Sequence, residues 1–185
     1  MADVAKGAGC SVGAVYHHFR DKKALLYALF GRVSDDFRAT TREAVDPVRW
    51  EGAAIADILE GYLDFTLELG RARPGFQRAG LEASLRDEKV RANLAAANAE
   101  LESGLMELLL SRRHEIGHSD PELAIVFVLA QLRSMLETRL DDVLLESQLE
   151  ARPDEIFVRE TLRSVCAYLE IASHAETPAS RSEEA

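Results

Sequence analysis

The sequence is short of cysteine, proline, positive charge and long apolar runs, and each shortage excludes something. Two cysteines in 185 residues, Cys10 and Cys166, form no spaced framework and suit a reducing cytosol as small buried hydrophobes. The longest unbroken apolar run, residues 123–130, has eight residues, far fewer than the roughly 20 that span a bilayer. No basic segment followed by an apolar one opens the chain, so the expectation is a cytoplasmic protein with no membrane partner. β-Branched alternation is scarce, which argues against strands. Neither a glycine-rich phosphate loop nor a convincing nucleophile–base pairing is recognisable, so an enzyme is not expected and no cofactor is implied. Basic residues number 22 against 32 acidic ones, a net charge of −10. Taken over the whole chain, that balance disfavours nucleic acid as a partner.

The charge is unevenly placed, however. Residues 1–30 hold Lys6, Arg20, Lys22 and Lys23 against Asp3 and Asp21, a balance of +2, while the remainder carries −12. A small basic head on an acidic body implies two tasks, and such a body can repel DNA everywhere but at the head. All five prolines, Pro47, Pro74, Pro121, Pro153 and Pro178, fall where apolar periodicity breaks, as expected of residues tolerated only in a first helical turn or between helices. The segments between them are rich in the helix formers Ala, Leu, Glu and Arg. The pattern predicts an all-α fold with helices over about 2–8, 12–18, 22–45, 50–70, 75–85, 88–115, 121–146 and 154–174, and a disordered polar tail over 176–185.

The last two helices are unusually apolar. Leu123, Ile125, Val126, Phe127, Val128 and Leu129 leave no polar face at the start of the 121–146 segment. Ile156, Phe157, Val158, Leu162, Val165, Cys166, Leu169 and Ile171 make a broad stripe on the 154–174 segment. A helix apolar all round must be covered on all sides. A second copy of the chain would supply the cover and make a homodimer; burial within a single chain is the alternative.

Residues 4–19 carry the most information. Two short helices are separated by Gly9-Cys10-Ser11, where Gly9 can take the positive φ of a tight turn and Ser11 can cap the second helix. Ala5 and Ala8 are small enough to let the helices cross closely, with Val4, Cys10 and Val15 able to face inward. This is the plan of a helix-turn-helix, whose second helix enters a major groove. Tyr16, His17 and His18 close that helix with groups suited to phosphate oxygens. Asp21 can cap the next helix and leave Lys22 in its first turn, where a cation and free N–H groups can meet one phosphate. A surface helical hairpin with incidental basic residues is the plainer alternative.

These residues, Ala8-Gly9-Cys10-Ser11, Tyr16-His17-His18-Phe19, Lys22 and Leu25-Leu26, closely resemble the DNA-binding region of tetracycline-repressor-type (TetR) transcriptional regulators. The match spans residues 4–29; the rest of the chain is similar only in architecture. The resemblance implies a helix-turn-helix head over 1–30 and a helical ligand-sensing and dimerisation body over 31–175. It also implies a homodimer paired through the helices near 121–146 and 154–174, acting on double-stranded operator DNA in response to a small-molecule effector. It places Ser11, Val12, Gly13, Ala14, Tyr16, His17 and Lys22 at the DNA, with Tyr16, His17 and Lys22 as phosphate contacts and His18 and Phe19 packing or anchoring the helix. Because Val12, Gly13 and Ala14 carry no polar side-chain groups, thymine-methyl contact or DNA shape would carry more of the specificity. Repression rather than activation is a family expectation. Members of the family also carry a helix of about 20 residues before this point, so the resemblance implies a head incomplete at its N-terminus. A misplaced start, a truncation or a real loss would each account for it, and a dimeric small-molecule binder with a non-functional head is the alternative function.

Two further features lie in the body. His114-Glu115-Ile116-Gly117-His118 matches the H-E-x-x-H signature of zinc hydrolases. A helix ending at Gly117, with Ser119 or Asp120 capping the next, would keep the two histidines from converging, so no metal is expected. For the effector pocket, Tyr62, Phe65, Phe76, Gln77, Asn93, Gln131 and Met135 are candidate lining residues, with Asn98 and Arg133 weaker ones. Trp50 reads as a hydrophobic anchor for its helix.

Overall fold

The computed structural model describes residues 1–72, 76–140 and 152–171 of the chain. The helices are α1 (Ala2–Gly7), α2 (Val12–His18), α3 (Lys22–Ala44), α4 (Ile55–Ala72), α5 (Phe76–Arg86), α6 (Glu88–Leu110), α7 (Pro121–Leu140) and α8 (Asp154–Tyr168), with a 3-10 turn at Arg113–Glu115. No strand occurs among the described residues, and the fold is all-α as the sequence pattern predicts. The chain forms two compact units, one of Met1–Arg49 with Leu69–Leu105 and one of Trp50–Glu68 with Met106–Ala185.

In the first unit, α3 and α6 run parallel along a polar seam. Tyr27 meets Asp87, Ser34 meets Asn93, Arg38 meets Glu100 and Val45 meets Gly104, so both helices advance in the same direction. At one end the Tyr27 hydroxyl donates to Asp87 Oδ2 at 2.8 Å. In the middle Asn93 Nδ2 donates to Ser34 Oγ at 3.0 Å, and Arg38 donates to Asn93 Oδ1 at 3.3 Å and to Glu100 Oε1 at 2.8 Å. Ser34 is buried, and this bond satisfies a hydroxyl that would otherwise be costly to bury. At the far end a Cβ on Gly104 would lie 2.6 Å from Val45 Cγ2, so only glycine lets the helices meet there. Between these points Phe30 is buried, its ring 5.1 Å from that of Phe76 on α5.

The second unit has an apolar core. Ile55, Ile58, Leu59, Leu63 and Leu67 repeat at helical spacing along α4 and are all buried. Ala124, Ile125, Val128, Leu129, Leu132 and Leu136 form the buried face of α7, and Phe157, Val158 and Val165 that of α8. The all-apolar start of α7 therefore resolves into two faces, because Leu123, Val126 and Phe127 are 57%, 48% and 51% exposed. The Arg139 side chain, 6% exposed, ties the end of α7 to the start of α8. It pairs with Asp154 at 2.7 Å, donates to the Arg152 carbonyl at 2.6 Å and lies over the Phe157 ring. A buried guanidinium is tolerable only with such compensation.

Three helix ends differ from the sequence expectation, each for a non-local reason. The fourth helix starts at Ile55 rather than near 50. The Arg112 side chain takes the Trp50 and Ala53 carbonyls, Gly52 adopts φ +76°, and Asp57 and Glu115 accept from the Ala54 and Ile55 amides. Trp50 still anchors that helix, since its ring covers Gly61 so closely that a Cβ there would overlap it. The sixth helix stops at Leu110, where Ser111 Oγ and Arg112 both donate to the Leu108 carbonyl. The eighth stops at Tyr168, with Glu170 at φ +55° and the Leu169 carbonyl accepting from the Gly117 and His118 amides. The expected helical stretches over 141–146 and 172–174 and the tail over 176–185 lie outside the described residues.

Replacing Gly104 by alanine gains about 1 kcal/mol of helix propensity but overpacks Val45 at a cost of about 1–3 kcal/mol. Thermal melts followed by circular dichroism should show Gly104→Ala less stable than wild type. In a Val45→Ala background, which removes the overlapping methyl groups, the same change should become neutral or stabilising.

Candidate nucleic-acid interface

The head is built from three local devices. The first closes α1: Gly9 adopts φ +64°, its amide donates to the Lys6 carbonyl at 3.2 Å, and the Cys10 amide reaches back to the Ala5 carbonyl at 3.0 Å. That pair of bonds is a Schellman turn, which favours glycine at the left-handed position. The second starts α2, where extended Ser11 accepts from the Ala14 amide on its Oγ at 3.1 Å. The third starts α3, where Asp21 Oδ1 accepts from the Ala24 amide at 2.7 Å. That amide bond, with Arg20 beside it, holds the Asp21 carboxyl below its ordinary range.

Between α1 and α2 the buried contact is small: Ala5 is 2% exposed and Val15 6%. Val15 faces inward as expected, but Val4 and Cys10 do not. Val4 is 44% exposed on a helix of only six residues, and Cys10 is exposed because it occupies the last position of the Schellman turn. His18 is likewise exposed, edge-on to His17 at 5.4 Å, so of the two residues expected to pack, only Phe19 is even half-buried.

The outer face of α2 is an exposed stripe. Val12 and Tyr16 are 41% and 52% exposed, one turn apart, with exposed Gly13 and His17 beside them and Ala14 half-buried. The Ser11 oxygen is committed as an acceptor to its cap, which leaves its proton free to donate. Lys22 is exposed in the first turn of α3 and makes no ion pair with any described residue. All seven head residues singled out from the sequence thus lie within one contiguous stretch of α2 and its two flanks, with aromatic, imidazole and ammonium groups turned to solvent.

Residues 1–29 match the family model described as bacterial regulatory proteins, tetR family. The match covers the head alone, 29 of the 185 residues. No curated protein and no solved structure matches the chain.

The body residues singled out from the sequence are more scattered. Tyr62 and Phe65 on α4, and Gln131 and Met135 on α7, are half-buried in the second unit. Phe76 and Asn93 belong to the first unit, where the Phe76 ring meets Phe30 and the Asn93 amide is occupied by Ser34 and Arg38. Asn98 and Arg133 are exposed, and the side chain of Gln77 lies outside what the structure describes.

The H-E-x-x-H stretch is not helical throughout. His114 and Glu115 sit in the 3-10 turn, Ile116 is extended and buried, and His118 lies beyond the turn. Gly117 is not a left-handed helix end, contrary to expectation; it is small because Glu170 packs against it, a Cβ there lying 2.9 Å from the Glu170 carbonyl. Glu115 accepts from the Ile55 amide at 2.9 Å, and His118 Nδ1 accepts from the Asp120 amide at 3.1 Å. Asp120 in turn caps α7 through the Leu123 amide at 3.0 Å. Among the described residues no group of three or more His, Cys, Asp or Glu is placed to hold a metal.

A Glu115 that caps a helix behaves differently from one that acts as a base. Glu115→Ala should lower stability by about 1 kcal/mol, the usual loss of an N-terminal cap, read as a drop in melting temperature. Zinc measured by atomic absorption after dialysis should be the same for wild type, Glu115→Ala and His114→Ala.

Proposed function

We propose that the protein is a ligand-responsive transcriptional repressor that binds operator DNA as a homodimer in the cytoplasm. The supporting observation is the capped α2, with Val12, Gly13, Tyr16 and His17 turned to solvent and Lys22 beside them in a TetR-type head. On this reading α2 lies in the major groove. Lys22, Tyr16 and His17 hold phosphates, and Val12 and Ala14 meet thymine methyl groups. A head net charge of +2 on a body of −12 confines the attraction to one end of the chain. No described helix is long and apolar enough to cross a membrane.

The dimer reading is supported by the outer face of α7 and α8. Leu123, Val126 and Phe127 repeat at helical spacing, and the Tyr168 ring on α8 packs tilted against Phe127 at 4.9 Å between centroids while remaining 36% exposed. Covering four large hydrophobic side chains on each of two copies is the kind of burial that holds obligate dimers together. Operator half-sites would then be separated by about one helical turn or a multiple of it. An effector bound in the body would act by shifting the spacing of the two heads, for which a coupling of about 1–3 kcal/mol suffices.

Selection of bound duplexes from a random pool, followed by gel shift, tests the reading. A near-palindromic site bound tightly by wild type is the expected result; failure to enrich any sequence would remove it. Lys22→Ala should weaken binding to all sequences alike and make the log–log salt slope shallower by about 0.9, the value for one lost phosphate contact. Sedimentation should report a dimer for wild type and a monomer for Phe127→Glu, whose buried carboxylate would be unpaired at the interface.

A further inference from the structure

Lys22 and Lys23 stand side by side in the first turn of α3, but the structure treats them differently. Lys22 is exposed and makes no ion pair with the described residues, whereas Lys23 Nζ lies 2.9 Å from Asp87 Oδ2. Asp87 is a heavily used group. It accepts from the Tyr27 hydroxyl at 2.8 Å, and its other oxygen caps α6 through the Lys89 and Val90 amides at 3.0 and 3.3 Å. Its side chain is only 13% exposed while that of Lys23 is 64% exposed, so the carboxylate is the fixed partner and the ammonium the movable one. A second ammonium, Lys89 Nζ, lies 4.8 Å from the Tyr27 ring centre, with Lys23 Nζ 5.3 Å from the same centre. Lys23 and Tyr27 hold the Asp87 carboxyl down at about 2, and Tyr27 and Asp87 push the Lys23 ammonium above its ordinary range, so both charges persist at neutral pH.

Resting on the DNA-binding reading above, we infer that Asp87 withholds Lys23 from the DNA phosphates and so sets how much sequence-independent affinity the head has. Each ammonium placed on a phosphate releases a condensed counterion and tightens binding to every sequence equally. A lysine neighbouring Lys22 is within a side chain's reach of the same phosphate row. While Asp87 keeps it, α2 must supply a larger share of the binding energy, and that share depends on sequence. Without the carboxylate's charge, Lys23 would keep only the face of the Tyr27 ring, which it shares with the Lys89 ammonium, and its flexible arm would be released to solvent and phosphate.

Asp87→Asn isolates this role, because the asparagine oxygen can still cap α6 while the amide nitrogen that replaces Oδ2 can donate to the Tyr27 hydroxyl instead of accepting from it. The measurement is the anisotropy of a labelled mixed-sequence duplex of about 30 base pairs, titrated at several salt concentrations. Asp87→Asn should bind several-fold tighter at about 50 mM salt, with a slope steeper by about 0.9, so that its advantage shrinks roughly 3.5-fold by about 200 mM. In a Lys23→Gln background the same substitution should change neither quantity. An unchanged slope for Asp87→Asn would overturn the inference, as would equal effects in both backgrounds, which would reflect only a carboxylate removed from near the DNA. Lys23→Gln alone gives an independent arm: an unaltered slope supports the inference, and one shallower by about 0.9 overturns it by showing Lys23 already on a phosphate. If wild type binds no duplex even at low salt, the DNA-binding reading falls and this inference with it. Binding by wild type with the wrong variant slopes removes this inference alone.

Discussion

The polar seam between α3 and α6 is the constraint on which the first unit depends. Three residues separate α2 from α3, whose start carries the Asp21 cap and the Lys22–Lys23 pair of the candidate interface. Whatever fixes α3 therefore fixes the head's lysines. An apolar seam would tolerate sliding, since one leucine contact replaces another at little cost. Here a slip of one turn would leave Ser34, Asn93 and Arg38 without their partners, at about 1–3 kcal/mol for the buried Ser34 hydroxyl alone. The glycine contact at Val45 closes the far end and forbids adjustment in the other direction. Hydrogen bonding sets the register, and close packing sets the spacing.

Much of the head was legible in the sequence because its structure is decided over spans of three to five residues. A serine three residues before a free amide, an aspartate in the same relation to the next helix and a glycine where φ must be positive are choices the chain makes locally. Asp120 reads as a cap for the same reason. The exposure of Val4 and Cys10 was not legible, since side chains of these types are more often buried and only the turn geometry turns them outward.

What escaped the sequence depends on partners about 60 residues away. Asp87 can be recognised as a helix cap from the residues that follow it, but nothing near it announces Tyr27 or Lys23. Glu115 matched a catalytic signature by composition, while its carboxylate serves the first turn of α4. The start of α4 and the ends of α6 and α8 are misplaced by local reading for a related cause: Arg112, Glu115 and the 117–118 amides compete for backbone groups that a helix would otherwise use. Propensity is a weak prior wherever such competition exists.

The same distinction alters the meaning of the head's charge. Counting residues gives +2 for the first thirty, but Arg20 lies against Asp21 and Lys23 against Asp87, the latter from outside the counted segment. The Arg20 pair is highly exposed, a geometry worth little, whereas the Lys23 pair ends on a largely buried carboxylate that also caps a helix. The cations left for an anionic partner are Lys6, Lys22 and the loosely held Arg20. A head so sparingly charged has little sequence-independent attraction to offer. On the proposed DNA-binding reading, selectivity rests on the shape and apolar contacts of Val12, Gly13 and Ala14 rather than on charge.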